Sequence, residues 1–247
     1  MTNNSPLLND ILNQPQSLAE TLEYHVGVGQ AVLHDAAQRL KGRVILFSGM
    51  GSSHFACYAL SAELAAQGIA STAIDTAELL HYHYPAYRDA VAMLVSRSGE
   101  SIEMIKVLPL LKSQGTFVIG VTDEADSTLA READLTVLIH GGRDHLVAVQ
   151  SYTATLISLH LLGAAMLDQF DQTHAELSSA IEALRTFIQE YVAASAGETW
   201  RSFFDSASVI HLLGRGRSIA SIHEGALLFN EVARFPSVAC EAAQFRH

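Results

Sequence analysis

The chain has 247 residues, 49% of them hydrophobic and 17% charged, enough to bury a sizeable core in one to two domains. Its 26 acidic residues outnumber 15 basic ones for a net charge of −11, with no basic run, which argues against nucleic acid and anionic membranes as partners. No apolar run approaches the roughly 18 residues that span a bilayer. The start Met1-Thr-Asn-Asn-Ser-Pro6 lacks a signal peptide's basic and apolar regions, and Cys57 and Cys240 are too few for a disulfide framework. A cytoplasmic protein is the expectation.

Residues 1–14, two apolar pairs among Asn and Pro, read as an arm or a short helix. From Pro15 to Leu40 the apolar positions Leu18, Leu22, Val26, Val32 and Ala36 recur at helical spacing, with Gly42 as the stop. Gly27 and Gly29 predict a break inside that helix, since each costs up to about 1 kcal/mol relative to Ala. Alternating units follow: strand Arg43–Ser48, helix Ser53–Gln67, strand Ile69–Asp75 and short helix Ala77–Tyr82. They continue with strand Ala90–Ser96, helix Ser101–Gln114, strand Thr116–Thr122, helix Asp126–Glu132 and strand Leu135–His140. Such alternation predicts a three-layer α/β/α domain on a five-stranded parallel sheet, and a flavodoxin-like order 2-1-3-4-5 makes strands one and three neighbours at the topological switch point.

Those two strands carry the glycine- and serine-rich turns. Val91 to Val95 runs into Ser96-Arg-Ser-Gly-Glu-Ser101 and then a helix. The free N–H groups of a helix start, with the positive end of its dipole, attract an anion. Ser96, Ser98 and Ser101 can add hydroxyl hydrogen bonds and Arg97 a charge. Taken alone, a phosphate cradle and a simple serine cap stand level. The earlier turn Gly49-Met-Gly-Ser-Ser53, also between a strand and a helix, favours one ligand held between two loops.

Gly51-Ser52-Ser53 and Ser96-Arg97-Ser98-Gly99-Glu100-Ser101 resemble the two phosphosugar-binding loops of the sugar isomerase (SIS) domain, the fold of the isomerase half of glucosamine-6-phosphate synthase and of amino-sugar and glycation-product deglycases. The commonest second loop is Ser-Gln-Ser-Gly-Glu-Thr, so Arg97 replaces Gln and Ser101 replaces Thr. The resemblance runs from Pro15 to the last residue. It implies that a sugar phosphate is held by Gly51, Ser52, Ser53, Ser96, Arg97, Ser98 and Ser101, and it implies no metal, nucleotide or flavin.

Beyond a loop at Gly141–His145, Val149-Gln-Ser-Tyr-Thr153 resembles another family element, with Gln150 near a usual Lys. The helix it opens, to about Phe170, is apolar almost all round and is expected to be buried or at a subunit interface. A more amphipathic helix spans Asp171–Ala194, and Ala193–Glu198 reads as a linker. Strand Ser208–Leu213, turn Gly214-Arg-Gly216 and a helix from Ser218 to about Arg234 then restart the pattern, with a possible strand near Val238. The expected organisation is an arm and helix at 1–42, a first SIS domain at 43–194 and the start of a second at 199–247, with the natural protein continuing past His247. Residues 199–247 should pack on the first domain or a partner subunit, and a homodimer or higher homo-oligomer is expected.

Ile222-His-Glu-Gly-Ala-Leu-Leu-Phe-Asn-Glu231 resembles the family's Leu-Glu-Gly-Ala-Leu-Lys-Leu-Lys-Glu. Glu224 and Glu231, seven apart, fall on one helix face. By resemblance Glu231 moves a proton between C1 and C2 of an open-chain sugar phosphate, and Glu224 supports the site. Ala239-Cys-Glu-Ala-Ala-Gln-Phe-Arg-His247 resembles the segment that ends in the ring-opening His. The family's Lys between the glutamates is Leu228 here, whereas the deglycases and deaminases manage with Glu and His alone. The reading is a phosphosugar isomerase, deaminase or deglycase acting at C1/C2, and the alternative is a non-catalytic phosphosugar sensor. His81 and His83 have no Cys or carboxylate at familiar metal spacing and read as loop or ligand-rim residues, while His54 reads as capping, packing or a sugar contact.

Overall fold

The computed structural model describes residues 5–192, 201, 204–205 and 207–247. The linker expected at Ala193–Glu198 lies outside the described residues.

Five parallel strands make the main sheet: β1 (Ile45–Gly49), β2 (Ser71–Asp75), β3 (Val91–Val95), β4 (Phe117–Thr122) and β5 (Leu135–Leu138). Their order is β2-β1-β3-β4-β5, as expected, with Gly49 level with Val95 where β1 meets β3. Every residue of β1 and of β3 is buried, because helices cover both faces. Phe47, Met93 and Ile119 point to one face, under α1 (Pro6–Val26), α2 (Gln30–Leu40), α3 (Ser52–Ala66), α7 (Gln150–Met166) and α8 (Phe170–Phe187). Leu46, Leu94 and Val118 point to the other, where α4 (Thr76–Glu78), α5 (Ile102–Ser113) and α6 (Thr128–Glu132) lie. Each fully buried Leu or Phe contributes about 1.5–3 kcal/mol.

The N-terminal segment is a correction. The helix begins at Pro6, not near Pro15, and runs unbroken to Val26. Ser5 caps it by accepting from Leu8 N at 3.2 Å, and Pro6 stands at the helix start, where its missing N–H costs nothing. Pro15 sits inside the helix and cannot serve the Ile11 carbonyl, which accepts instead from the Gln14 side chain at 3.5 Å. The break expected at Gly27 and Gly29 is there, separating α1 from α2. Helix α7 is buried within the chain, packed on α1, α2 and α3 rather than left as a free apolar face.

The last described segment forms β6 (Ile210–Gly214), α9 (Ser218–Leu228) with a π-helical turn at Phe229–Ala233, and β7 (Ser237–Glu241), which pairs parallel with β6. α9 packs across α3. His223 sits 5.0 Å from the Phe55 ring and 5.3 Å from that of Tyr58, and Arg217 lies 3.8 Å from Glu63. Among the described residues no helix is long and apolar enough to cross a membrane.

Candidate functional site

The turns after β1 and β3 face one another at the switch point, and a cavity of about 220 Å³ lies between them. Ser52, Ser53, Ser96, Arg97, Ser98 and Ser101 all line it. Gly51 does not. It shapes the turn with φ +52°, a conformation an L side chain resists, and lets α3 begin at Ser52. Gly49 is needed for close approach, since a Cβ there would stand 2.8 Å from the backbone of Ser53 and His54.

The second loop is held from outside. Ser96 Oγ accepts from Gly99 N at 3.1 Å and lies 3.3 Å from Ser101 Oγ. Ser98 Oγ accepts from Glu100 N at 3.3 Å, leaving its proton for a ligand. The Arg97 carbonyl accepts from Thr122 Oγ1 and from Asp123 N, each at 3.0 Å. Glu100 points away from the cavity and accepts from Thr128 N and Thr128 Oγ1, and the bond to that N–H, more than the one to the hydroxyl, holds its carboxyl below the usual range. Gly99 has φ +62°, and a Cβ on it would come within 2.2 Å of Ser127 Oγ. Ser101 occupies the N-cap position of α5, yet its hydroxyl makes no capping bond, and α3 has no side-chain cap either. Both helices therefore present first-turn amides, with serine hydroxyls that do not cap them, beside the same cavity, which suits an anion better than a cap alone.

The opposite wall is the start of α7, with Ser151, Tyr152 and Thr155 lining the cavity. Asp144 fixes this helix end by accepting from Val149 N at 3.1 Å, Gln150 N at 2.7 Å and Ser151 N at 3.2 Å, and from the Ser151 hydroxyl. Asp10, 1% exposed, reaches from α1 to accept from His145 N at 2.9 Å and to meet His145 Nδ1 at 2.6 Å. The sequence reading places Ser151 and Tyr152 in a segment resembling a family element but assigns neither them nor Thr155 to the site; Ser151 and Thr155, four apart, share one helix face.

Glu224 comes from α9. It is 3% exposed, and Ser52 Oγ donates to its Oε1 at 3.0 Å. Its other oxygen, Oε2, is buried without a partner, as is the Tyr152 hydroxyl. Burial raises the Glu224 carboxyl to about 7. The Ser52 hydrogen bond works against that rise, while the charges of Glu231 and Asp144 add to it. Tyr152 is also pushed up, chiefly by burial and then by the charge of Glu224.

Glu224 meets the cavity through Ser52 rather than lining it, and the other two predicted catalytic residues do not line it either. Glu231 lies in the π-helical turn after α9 and is exposed, near enough for its charge to act on Glu224. A spacing of seven places the pair on one face only in a regular α-helix, and the wider turn begins between them at Phe229. His247 is exposed beyond β7, after a 3-10 turn at Gln244–Arg246. His54 is a packing residue, bonded to the Tyr58 hydroxyl at 2.9 Å. His81 and His83 are exposed, and no cluster of His, Cys, Asp or Glu that could hold a metal occurs among the described residues.

A doubly wound parallel sheet with two serine loops meeting at its switch point defines an α/β domain built to take an anionic ligand beside a buried carboxylate. The chain belongs to the SIS domain family, whose profile matches residues 40–165. It is 28% identical over 246 residues to the glutamine–fructose-6-phosphate aminotransferase (isomerizing) of Pyrobaculum aerophilum, covering 98% of this chain and 40% of that protein. The chain thus spans about two fifths of the length of the curated relatives it matches. Among solved structures it resembles the C-terminal domain of glucosamine-fructose-6-phosphate aminotransferase from Francisella tularensis, with TM-score 0.79, 19% identity and coverage of 100% of this chain and 72% of that one. It also resembles glucosamine-6-phosphate deaminase from Thermotoga maritima, with TM-score 0.73, 22% identity and coverage of 98% and 72%.

Proposed function

We propose that the chain binds a phosphorylated sugar in the cavity between the two loops and acts on it at C1/C2 by ring opening and proton transfer, as a phosphosugar isomerase, deaminase or deglycase. The phosphate is held by Ser52, Ser53, Ser96, Ser98 and Ser101, with Arg97 adding charge and Gly51 shaping the turn. The observation that carries this reading is the 3.0 Å contact between Ser52 of the first loop and Glu224 of α9. It sets a carboxyl that titrates near 7 beside the phosphate cradle. Such a group takes a proton from one carbon of the open-chain sugar and returns it to the next, with electron pair and proton conserved. Glu231 supports Glu224 through its charge, and His247 is the candidate for ring opening. The name of the curated relative, an isomerizing fructose-6-phosphate aminotransferase, agrees with the substrate class. The parallel β6–α9–β7 unit repeats β1–α3–β2, and in this reading 43–194 is a first SIS domain and 199–247 opens a second.

The test is solvent exchange. The chain is incubated in D2O with fructose 6-phosphate and with glucosamine 6-phosphate, and deuterium at C1 and C2 is followed by NMR. Exchange that Glu224→Gln abolishes is the expected result. Exchange surviving in that variant moves the base to Glu231, and tight binding with no exchange in wild type overturns the enzymatic reading in favour of a sensor.

A further inference from the structure

Tyr152, in the first turn of α7, lines the cavity between the two loops and, with Glu224, an adjoining cavity of about 500 Å³. It is 8% exposed, and its hydroxyl is buried without a hydrogen-bond partner. A buried Tyr hydroxyl ordinarily finds one, because the group is otherwise stripped of water for nothing. The other hydroxyls of the same wall have their protons committed: Ser151 donates to Asp144, and Thr155 donates to the Ser151 carbonyl at 2.7 Å. Tyr152 is therefore the donor that this wall holds in reserve. Close to it stands a second orphan, Glu224 Oε2, and the Glu224 charge acts on Tyr152. Burial, more than that charge, pushes the phenol up, so at neutral pH Tyr152 keeps its proton and donates. Ala148, Val149, Leu228 and Phe229 make the adjoining cavity apolar, and in such surroundings a hydrogen bond to a developing negative charge is stronger than in water.

Resting on the phosphosugar reading, we propose that Tyr152 is a further catalytic residue, its hydroxyl donating to the carbonyl oxygen of the open-chain sugar beside the carbon that Glu224 deprotonates. As Glu224 Oε2 takes the proton from C1, the C–H electron pair forms the C1–C2 double bond and the carbonyl π pair moves to the C2 oxygen. The Tyr152 O–H bond holds that charge, and its proton stays on the phenol oxygen throughout. Return of a solvent-exchanged proton from Glu224 to C1 reverses each shift and leaves a labelled sugar. One edge of the substrate thus satisfies both buried orphans, which a packing role for the ring does not explain.

The experiment follows exchange at C1 of fructose 6-phosphate in D2O by NMR, for wild type and Tyr152→Phe, over a range of substrate concentrations. Loss of one such donor slows the step about 10²–10³-fold, so the maximal exchange rate should fall at least about a hundredfold with KM within about threefold. The melting temperature should stay at or above that of wild type, because Phe keeps the ring and removes an unpaired polar atom. A second measurement is affinity, by calorimetry, for 5-phospho-D-arabinonate, whose carboxylate carries negative charge where the enediolate oxygens form. The variant should lose at least about tenfold for this ligand and less than about threefold for fructose 6-phosphate. Exchange in the variant within about threefold of wild type overturns the inference and leaves the phosphosugar reading intact. An equal loss of affinity for both ligands, with a melting temperature several degrees lower, makes the hydroxyl a structural group and also overturns it. Absence of exchange in wild type overturns the enzymatic reading and the inference together.

Discussion

Replacing Glu224 by Gln should change how stability depends on pH. The carboxyl titrates near 7 in the folded protein, against an ordinary 4.5, and burial is the main cause. Between those values the folded chain holds a proton that the unfolded chain has released, so stability falls as pH rises. The contribution is fully present below 4.5 and lost once pH passes about 7. At about 1.4 kcal/mol per pH unit the difference is about 3 kcal/mol in a sealed interior, and about 2 kcal/mol beside a cavity open to water. Gln does not titrate. Its buried NH2 group adds a cost that is equal at pH 5 and pH 8 and cancels in the comparison. The variant should therefore gain about 2 kcal/mol on wild type between pH 5 and pH 8, about 4 °C in melting temperature for a chain of this length. Calorimetric melts of both proteins at the two pH values measure it. Parallel pH profiles would show that Glu224 is ionised in the folded state like any surface carboxylate, and the argument for its proton-transfer role would fail.

Other expectations follow from the loops and the core. Ser98→Ala removes a hydroxyl proton free for the ligand, and a lost hydrogen bond to a charged group costs about 1.5–3 kcal/mol. Affinity for inorganic phosphate, by calorimetry, should drop at least about tenfold, and unchanged affinity would remove Ser98 from the cradle. Gly99→Ala meets both a φ of +62° and a clash with Ser127, and should lower stability in urea by about 2–3 kcal/mol. Adding Ser127→Gly should recover part of that loss, whereas an unshifted urea midpoint for the single variant contradicts the loop geometry. His25, buried and bonded to Ser158 at 2.7 Å, titrates near 4 because burial and then the charge of His140 disfavour its protonated form. The unfolded His takes its proton at about 6.5, so wild type should lose up to about 3 kcal/mol as pH falls from 6.5 to 4, and His25→Gln should lose less. Equal acid sensitivity would place that loss elsewhere.

The sheet was readable because each strand is a short apolar run ending in a glycine or serine turn, and β1 and β3 are so fully buried that no polar residue interrupts their apolar runs before Ser48 and Ser96. The first half of α1 was not, because Pro15 signals a helix start, whereas the helix continues through it with the Gln14 side chain on the Ile11 carbonyl. The phosphate loops were legible as local motifs. The far wall was less legible: the start of α7 was noted as resembling a family element, but α7 is buried along almost its whole length, and nothing local marks Ser151 and Thr155 as facing a cavity. Helical spacing treated Glu224 and Glu231 as equals, with family resemblance favouring Glu231. What separates them is a contact spanning 172 residues, between Ser52 and Glu224, which no local pattern contains. The π-helical turn that sets Glu231 outside follows from packing around Phe229 and Asn230, where Asn230 bonds the Ala226 carbonyl at 2.8 Å and pairs with Ser237, and spacing alone does not announce it.

The most direct measurement is a titration of the 15N-labelled chain with fructose 6-phosphate, following backbone amides by NMR. Held between the two turns, the phosphate should shift the amides of Ser52, Ser53, Ser98, Gly99 and Ser101 most, saturating together with a single Kd, and inorganic phosphate should shift the same set more weakly. Shifts centred instead on the polar cavity around Asn9, Arg143 and His145, or no saturable shift at the β1 and β3 turns, would contradict the account.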